Sequence, residues 1–282
     1  MTISKDPSML ELLKYTVAAK ASDLHLGAGV CPAIRVDGDL KYISDIPTSS
    51  ERMVGLIREH LQDDRLREFE RERELDYSFG VAGLGRFRVN LFFQRGSIGC
   101  ALRVLPFDPM TFEEMGFPLD TANYLTTKPS GLILVTGPTG SGKTTTLAAM
   151  IDAINTREAF HIVTVEDPIE VVFKNKKSMI NQRELGSDTK SFSQSLKHVL
   201  RQDPDVILIG EMRDLETIEI ALTVAETGHL VFATLHTPDA VQSINRVIDV
   251  FPAHQQQQVR VQLSFVLQAV SPNSFYPRKT GG

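Results

Sequence analysis

The chain is 282 residues long and 42% hydrophobic, enough for one large domain or two ordinary ones with real cores. Its 30 Lys and Arg against 35 Asp and Glu leave a formal net charge of -5, and neither half is strongly basic, which weighs against a nucleic-acid partner. The 2 cysteines, Cys31 and Cys100, suit neither a disulfide framework nor a zinc site, the opening residues lack the apolar stretch of a signal peptide, and the longest apolar runs are strand-sized. A cytoplasmic protein is expected, without direct membrane insertion, that meets any membrane through a partner.

The first half reads as a small α+β domain over 1–105. A helix is predicted over 7–20, with Leu10, Leu13 and Val17 on one face. Short β signals follow at 23–26, 33–36 and 40–43, the last two joined by a turn at Asp37 and Gly38. A second helix, 49–61, turns Met53, Val54, Ile57 and Leu61 inward. The densely charged stretch 63–74 leads into strands at 76–79, 86–93 and 99–105, which complete a small antiparallel sheet. Pro106, Pro109, Gly116 and Pro118 then punctuate a linker over 106–118.

The second half, 119–282, has a different rhythm. Apolar, β-rich runs at 132–136, 162–165, 206–209 and 230–234 alternate with helical patterns, the signature of a mainly parallel sheet in an α/β domain. In such sheets ligands bind beyond the carboxyl ends of the strands. A phosphate loop, Glu166, Asp167, Gly210, Glu211 and His236 all lie just past those ends, so they are expected to converge on one edge. The basic run 174–177 is read as a solvated loop.

The chemistry of that edge follows from residue types. Gly137, Pro138, Thr139, Gly140, Ser141, Gly142, Lys143 and Thr144 fit the phosphate-loop pattern G-x-x-x-x-G-K-[ST], after a strand and before a helical run that opens at Thr145. Glycines let the backbone wrap closely enough for its N–H groups to cradle phosphate oxygens, and the helix N-terminus adds partial positive charge. Lys143 would reach the β- and γ-phosphates of ATP and Thr144 would ligate Mg²⁺. Glu166 stands where attacking water needs a general base, whereas Asp167 serves equally as a second acid or as a helix cap before Pro168. Glu211 ends the third apolar run, where P-loop enzymes keep the acid of the magnesium shell. Gly210 occupies the usual aspartate position, so Glu211 is expected to contact the metal through water. His229 and His236 flank the fourth run as γ-phosphate sensors or as packing residues. In the first domain Arg86, Arg88 and Asn90 share one strand face, and Arg103 alternates with apolar neighbours on the next strand. That arginine face suits phosphate recognition or plain solvation.

Six motifs in order carry a family resemblance. They are 21–26 (Ala-Ser-Asp-Leu-His-Leu), 85–90, the phosphate loop with its flanks at 135–144, an Asp box at 164–170, an atypical Walker B at 203–214 and a His box at 226–236. The chain resembles the ATPases of type II secretion and type IV pilus systems, and within them the branch that powers twitching motility by pilus retraction. The resemblance implies a PAS-like first domain, a RecA-like P-loop NTPase second domain, Glu166 as catalytic base and Glu211 as Walker B acid. It also implies functional roles for His229 and His236, and Arg88 and Arg103 as first-domain arginines that reach the nucleotide phosphates. The expected assembly is a homo-hexamer pressing on an inner-membrane pilus platform protein at the inner face of the cytoplasmic membrane. Assembly and secretion members carry a long extra N-terminal domain and a four-cysteine zinc insert; neither is seen here, which favours retraction. The alternative is an accessory or non-hydrolysing ring subunit.

The end of the chain departs from the family pattern. A helix is predicted over 253–270 with Val259, Leu263, Val266, Leu267 and Val270 in one apolar stripe, and 271–276 do not match the family. The reading is a truncated C-terminal helical region that leaves this stripe uncovered.

Overall fold

The computed structural model describes residues 4–105 and 109–273, and the chain divides into two compact units, Met1–Phe107 and Asp108–Gly282. In the first, helix α1 (Met9–Ala18) precedes strands β1 (Asp23–Gly27), β2 (Ala33–Val36) and β3 (Asp39–Tyr42). Helices α2 (Ser50–Arg58) and α3 (Asp63–Glu72) follow, then β4 (Glu74–Val81), β5 (Gly85–Gln94) and β6 (Ser97–Leu105). The strands form one antiparallel sheet in the order β3-β2-β1-β6-β5-β4. Asp37 and Gly38, both at positive φ, turn β2 into β3, as the hairpin geometry requires. Ser8 and Ser49 cap α1 and α2 by accepting hydrogen bonds from the N–H groups of Glu11 and Arg52.

One face of this sheet makes the core: Phe87, Val89 and Leu91 of β5 are fully buried against Leu12, Leu13, Met53, Ile57 and Phe69 of the helices. One expectation changes here. Helix α1 buries Met9, Leu12, Leu13 and Thr16, an i, i+3, i+4, i+7 set, and leaves Leu10 43% exposed. The charged stretch 63–74, to which the sequence pattern assigns no element, is mostly the helix α3, whose buried residues are Leu66 and Phe69.

Of the expected linker, 106–108 lie outside the described residues. The second unit continues with α4 (Phe112–Met115), closed by a capping box between Thr111 and Glu114, and α5 (Leu119–Thr126). Next come β7 (Gly131–Thr136), α6 (Lys143–Arg157), β8 (His161–Glu166), β9 (Met179–Glu184) and α7 (Phe192–Val199). The last elements are β10 (Val206–Ile209), α8 (Leu215–Glu226), β11 (Leu230–Leu235), α9 (Ala240–Asp249), α10 (Ala253–Val266) and β12 (Leu267–Pro272). The six strands are parallel throughout, in the order β12-β7-β11-β10-β8-β9. Alternate residues of the central strands feed two cores. Leu132, Leu134, Val163, Val165 and Ile207 pack with α7 to α10, while Ile133, Val135, Ile162, Leu208 and Phe232 pack with α5 and α6. Helices on both faces bury these strands completely, which is why they read as unbroken apolar runs.

Two further expectations are corrected. The helix over 253–270 ends at Val266, and 267–272 form β12 beside β7. The stripe is also covered: Val259, Leu263 and Val266 are each 4% exposed, and Leu267 and Val270 pack against the same core. The basic run 174–177 is an exposed loop, as its composition suggests, tied to α6 by Lys176 Nζ on Asp152 at 2.7 Å and by the Asn155 side chain, which bonds the Lys174 carbonyl and the Lys176 N–H. Residues 274–282 lie outside the described residues.

Candidate active site

The phosphate loop leaves the carboxyl end of β7 and enters α6. Gly137 has φ 143°, and a Cβ there would stand 2.4 Å from the Asn273 carbonyl oxygen and 2.5 Å from Ser141 Oγ, so only glycine fits. Gly142 caps α6 in the left-handed region at φ 86°, aiming the first turn of the 15-residue helix at the space above the sheet. Lys143 is buried, with Nζ donating to the carbonyls of Gly137 at 2.9 Å and Pro138 at 3.0 Å. Burial lowers its pKa, while the charges of Glu211 and Glu170 pull it back up. The buried hydroxyls of Thr136 and Ser141 have no hydrogen-bond partner among the described residues. A loop with free donors, a helix N-terminus and a desolvated cation is built to receive a phosphate chain.

The loop borders a cleft of about 500 Å³ lined by Lys143, Thr144, Glu166, Glu170, Glu211 and His236 among others. Glu166 ends β8 and is 6% exposed. Its Oε1 accepts from Thr164 Oγ1 at 2.6 Å and from Gln182 Nε2 at 3.1 Å, and Oε2 has no partner among the described residues. Burial pushes its pKa up to about 7, with Glu170 and Glu184 adding to the rise and the two hydrogen bonds opposing it. A carboxyl poised near neutrality with one oxygen tied and the other free is equipped to take a proton. Asp167 lines the same cleft and caps no helix among the described residues, since the segment after it is irregular.

Glu211 follows β10 and its side chain is 19% exposed. Burial would raise its pKa, but the hydrogen bond from Arg213 Nη2 at 2.7 Å and the charges of His236 and Arg213 win, holding it below the ordinary carboxylate value. His236 Nε2 lies 3.4 Å from the same oxygen. Arg213 was not singled out from the sequence, although its place two residues after Glu211 in a charged run was the available signal. Thr144 and Thr145 sit in the first turn of α6 and line the cleft, as do Thr139, Gly140 and Gly142.

The two histidines part company. His236 is at the carboxyl end of β11, in the cleft, whereas His229 precedes that strand at its amino end. The six residues between them span about 20 Å at the usual strand rise. His229 Nδ1 instead bonds Thr227 Oγ1 at 3.0 Å and the Val224 carbonyl at 3.1 Å, closing the turn after α8. Within one subunit its contacts are therefore those of the packing alternative. Arg88 and Arg103 are direct partners across β5 and β6, on the sheet face opposite the first unit's core. Arg86 Nη2 reaches Ser78 Oγ at 2.7 Å, and Arg103 pairs with Asp23 at 2.9 Å.

A glycine-rich loop running from the first strand of a parallel sheet into a helix, faced by acids from two neighbouring strand ends, defines a P-loop nucleoside triphosphatase. Residues 86–272 match the type II/IV secretion system protein family, and the chain belongs to it. It is 50% identical over 272 residues, 96% of this chain and 79% of the relative, to the type IV pilus retraction ATPase PilT of Pseudomonas aeruginosa. It is 45% identical over 263 residues, 93% of this chain and 70% of the relative, to a twitching motility protein of Neisseria gonorrhoeae. The crystal structure of the pilus retraction motor PilT with bound ADP matches at 52% identity with a TM-score of 0.86, covering 93% of this chain and 77% of that one. The chain is thus a nucleotide-binding ATPase with an α+β N-terminal domain and a RecA-like core.

Proposed function

We propose that this ATPase hydrolyses Mg-ATP to drive retraction of a type IV pilus, as a homo-hexameric ring working against an inner-membrane platform protein. The observation that carries the hydrolytic reading is the open Oε2 of Glu166 in the cleft that also holds Lys143. In the reaction Glu166 accepts a proton from water as the water oxygen bonds to the γ-phosphorus. The bond from that phosphorus to the bridging oxygen breaks, and ADP and phosphate leave. Lys143 and the loop N–H groups hold the γ-phosphate while charge moves onto the leaving oxygen. Thr144 directly, and the ionised Glu211 through a water, would hold Mg²⁺, with substrate phosphates and further waters completing its shell. Bound there, the ion neutralises phosphate charge. In this reading His236 responds to that end of the nucleotide through Glu211, and Arg88 and Arg103 supply further cations to the phosphates.

Retraction is favoured over an accessory ring subunit because Lys143, Glu166 and Glu211 are all present and because the named relatives are retraction and twitching proteins. The test is paired. The purified chain should turn over ATP, and its gene should restore twitching to a retraction-deficient host, while the Glu166→Gln form should do neither. Turnover without twitching would leave an ATPase of another machine.

A further inference from the structure

Strand β9 is the edge strand next to β8, and its register places Glu184 beside Glu166 and Gln182 beside Thr164. Three of its polar contacts reach the same segment. Gln182 Nε2 donates to Glu166 Oε1 at 3.1 Å and to the Val171 carbonyl at 2.8 Å, and Gln182 Oε1 accepts from the Phe173 N–H at 2.9 Å. Glu184, 3% exposed, accepts from the Ile169 N–H at 3.1 Å and from Ser187 Oγ at 3.3 Å. Residues 167–178 carry no helix or strand. Asn155 of α6 holds the second half of this segment, at Lys174, Lys176, Lys177 and Ser178, whereas the first half, at Ile169, Val171 and Phe173, is held by the side chains of β9.

We infer that β9 sets the catalytic base: Gln182 and Glu184 are positioning residues that hold Glu166 and the segment after it in the hydrolytic arrangement. This rests on the reading of Glu166 as general base. Two donors on a single oxygen fix the rotation of the carboxyl group and leave Oε2 facing the cleft. Without Gln182, Thr164 alone would hold Oε1, and the stretch 171–173 would lose both of its ties to the sheet. A base displaced by about 1 Å loses on the order of 10²-fold in rate.

The two residues also act on the proton affinity of Glu166 in opposite senses. The amide of Gln182 stabilises the ionised carboxylate, whereas the neighbouring charge of Glu184 opposes ionisation. The other charged groups around Glu166 are Asp167 and Glu170 on its own segment, Glu211 and Arg213 after β10, His236 after β11 and Lys143 in the loop. None of them is changed by substitutions on β9, so a shift can be traced to the strand.

The experiment is steady-state ATP hydrolysis by the full chain from pH 5.5 to 9, with binding of a fluorescent ATP analogue measured alongside. Gln182→Met keeps the length of the side chain and removes its hydrogen bonds; Glu184→Gln keeps the shape and removes the charge. The expected result is a kcat for Gln182→Met lower by roughly 10- to 10²-fold, with nucleotide affinity held within a few-fold. Its acid limb should move to higher pH, and the limb of Glu184→Gln should move to lower pH. Limbs at the wild-type position in both variants, or equal losses of binding and kcat, overturn the positioning role. Glu166→Gln is run as the reference. If it keeps wild-type turnover the base assignment itself fails, whereas if it is inactive and the β9 variants are unshifted, only the present inference fails. Should Gln182→Met not fold, the Glu184→Gln limb decides alone.

Discussion

Gly210 and Glu166 are packed end against end: a Cβ built on Gly210 would stand 3.1 Å from Glu166 Cα and 3.2 Å from the Val165 carbonyl oxygen. The strand end where an aspartate is usual has no room for a side chain unless the catalytic strand shifts. The acid accordingly stands one residue further on, at Glu211. Gly210→Ala should displace Glu166 by a few tenths of an ångström and lower kcat by about 10-fold or more, with ATP affinity little changed because the phosphate loop is untouched. A variant with wild-type kcat would show that the end of β10 yields without disturbing the base.

Lys143 and Glu166 should separate binding from chemistry. Lys143→Ala removes the main side-chain cation of the loop and is expected to abolish turnover and weaken ATP binding. Glu166→Gln preserves shape and both Oε1 hydrogen bonds, so it should bind ATP yet lose at least about 10²-fold in hydrolysis. A kcat within a few-fold of wild type would remove Glu166 from the role of base.

The same residue gives stability a pH dependence whose sign can be worked out. Burial raises the pKa of Glu166 from 4.5 to about 7, so between those values the native state holds a proton that the unfolded chain has released. Its stability therefore falls as pH rises through that window and levels off above it. Glu166→Gln escapes the penalty. Thermal melts of the nucleotide-free protein should show no advantage for the variant near pH 4, and one growing to on the order of 1–3 kcal/mol by pH 8. A difference that stays constant with pH would mean that Glu166 is not desolvated in the native state.

What could be read beforehand follows from how each element is buried. β7, β8, β10 and β11 are covered on both faces and showed themselves as apolar runs; the phosphate loop showed itself because its glycines answer a local backbone demand. β9 was invisible because it is an edge strand whose Met179 is 51% exposed and whose other side chains are mostly polar. The work of Gln182 is set by a neighbour sixteen positions away in sequence, which no local pattern encodes. β12 was mistaken for helix because Leu267 and Val270 extend the spacing of Val259, Leu263 and Val266, and short apolar segments satisfy either period. His229 and His236 were paired by their symmetry around one apolar run, yet a parallel strand necessarily sends its two ends to opposite edges of the sheet.

The arginines of the first unit offer the sharpest contrast between stability and turnover. Arg88 and Arg103 face each other across β5 and β6, and Arg103, with its side chain 64% exposed, pairs with Asp23. Only the arginine end of this pair is exposed, since the Asp23 side chain is 13% exposed and keeps its hydrogen bond from Ser22. Losing the pair costs on the order of 1–3 kcal/mol, so the Arg88→Ala, Arg103→Ala double variant should melt lower but still fold. An arginine on a transferring phosphoryl group, by contrast, can be worth about 10³–10⁵ in rate. Turnover by the double variant is therefore expected to collapse while its fold persists. Replacement by Lys should restore little, because a point charge lacks the guanidinium fork. Which subunit's site the arginines serve can be read from mixed assemblies of this variant with Glu166→Gln subunits. If they act across a subunit boundary, a site with an intact base can borrow intact arginines and some turnover returns; if they act within a subunit, every site stays defective. Wild-type turnover by the double variant alone would show that the arginine face is only a solvated side of the sheet.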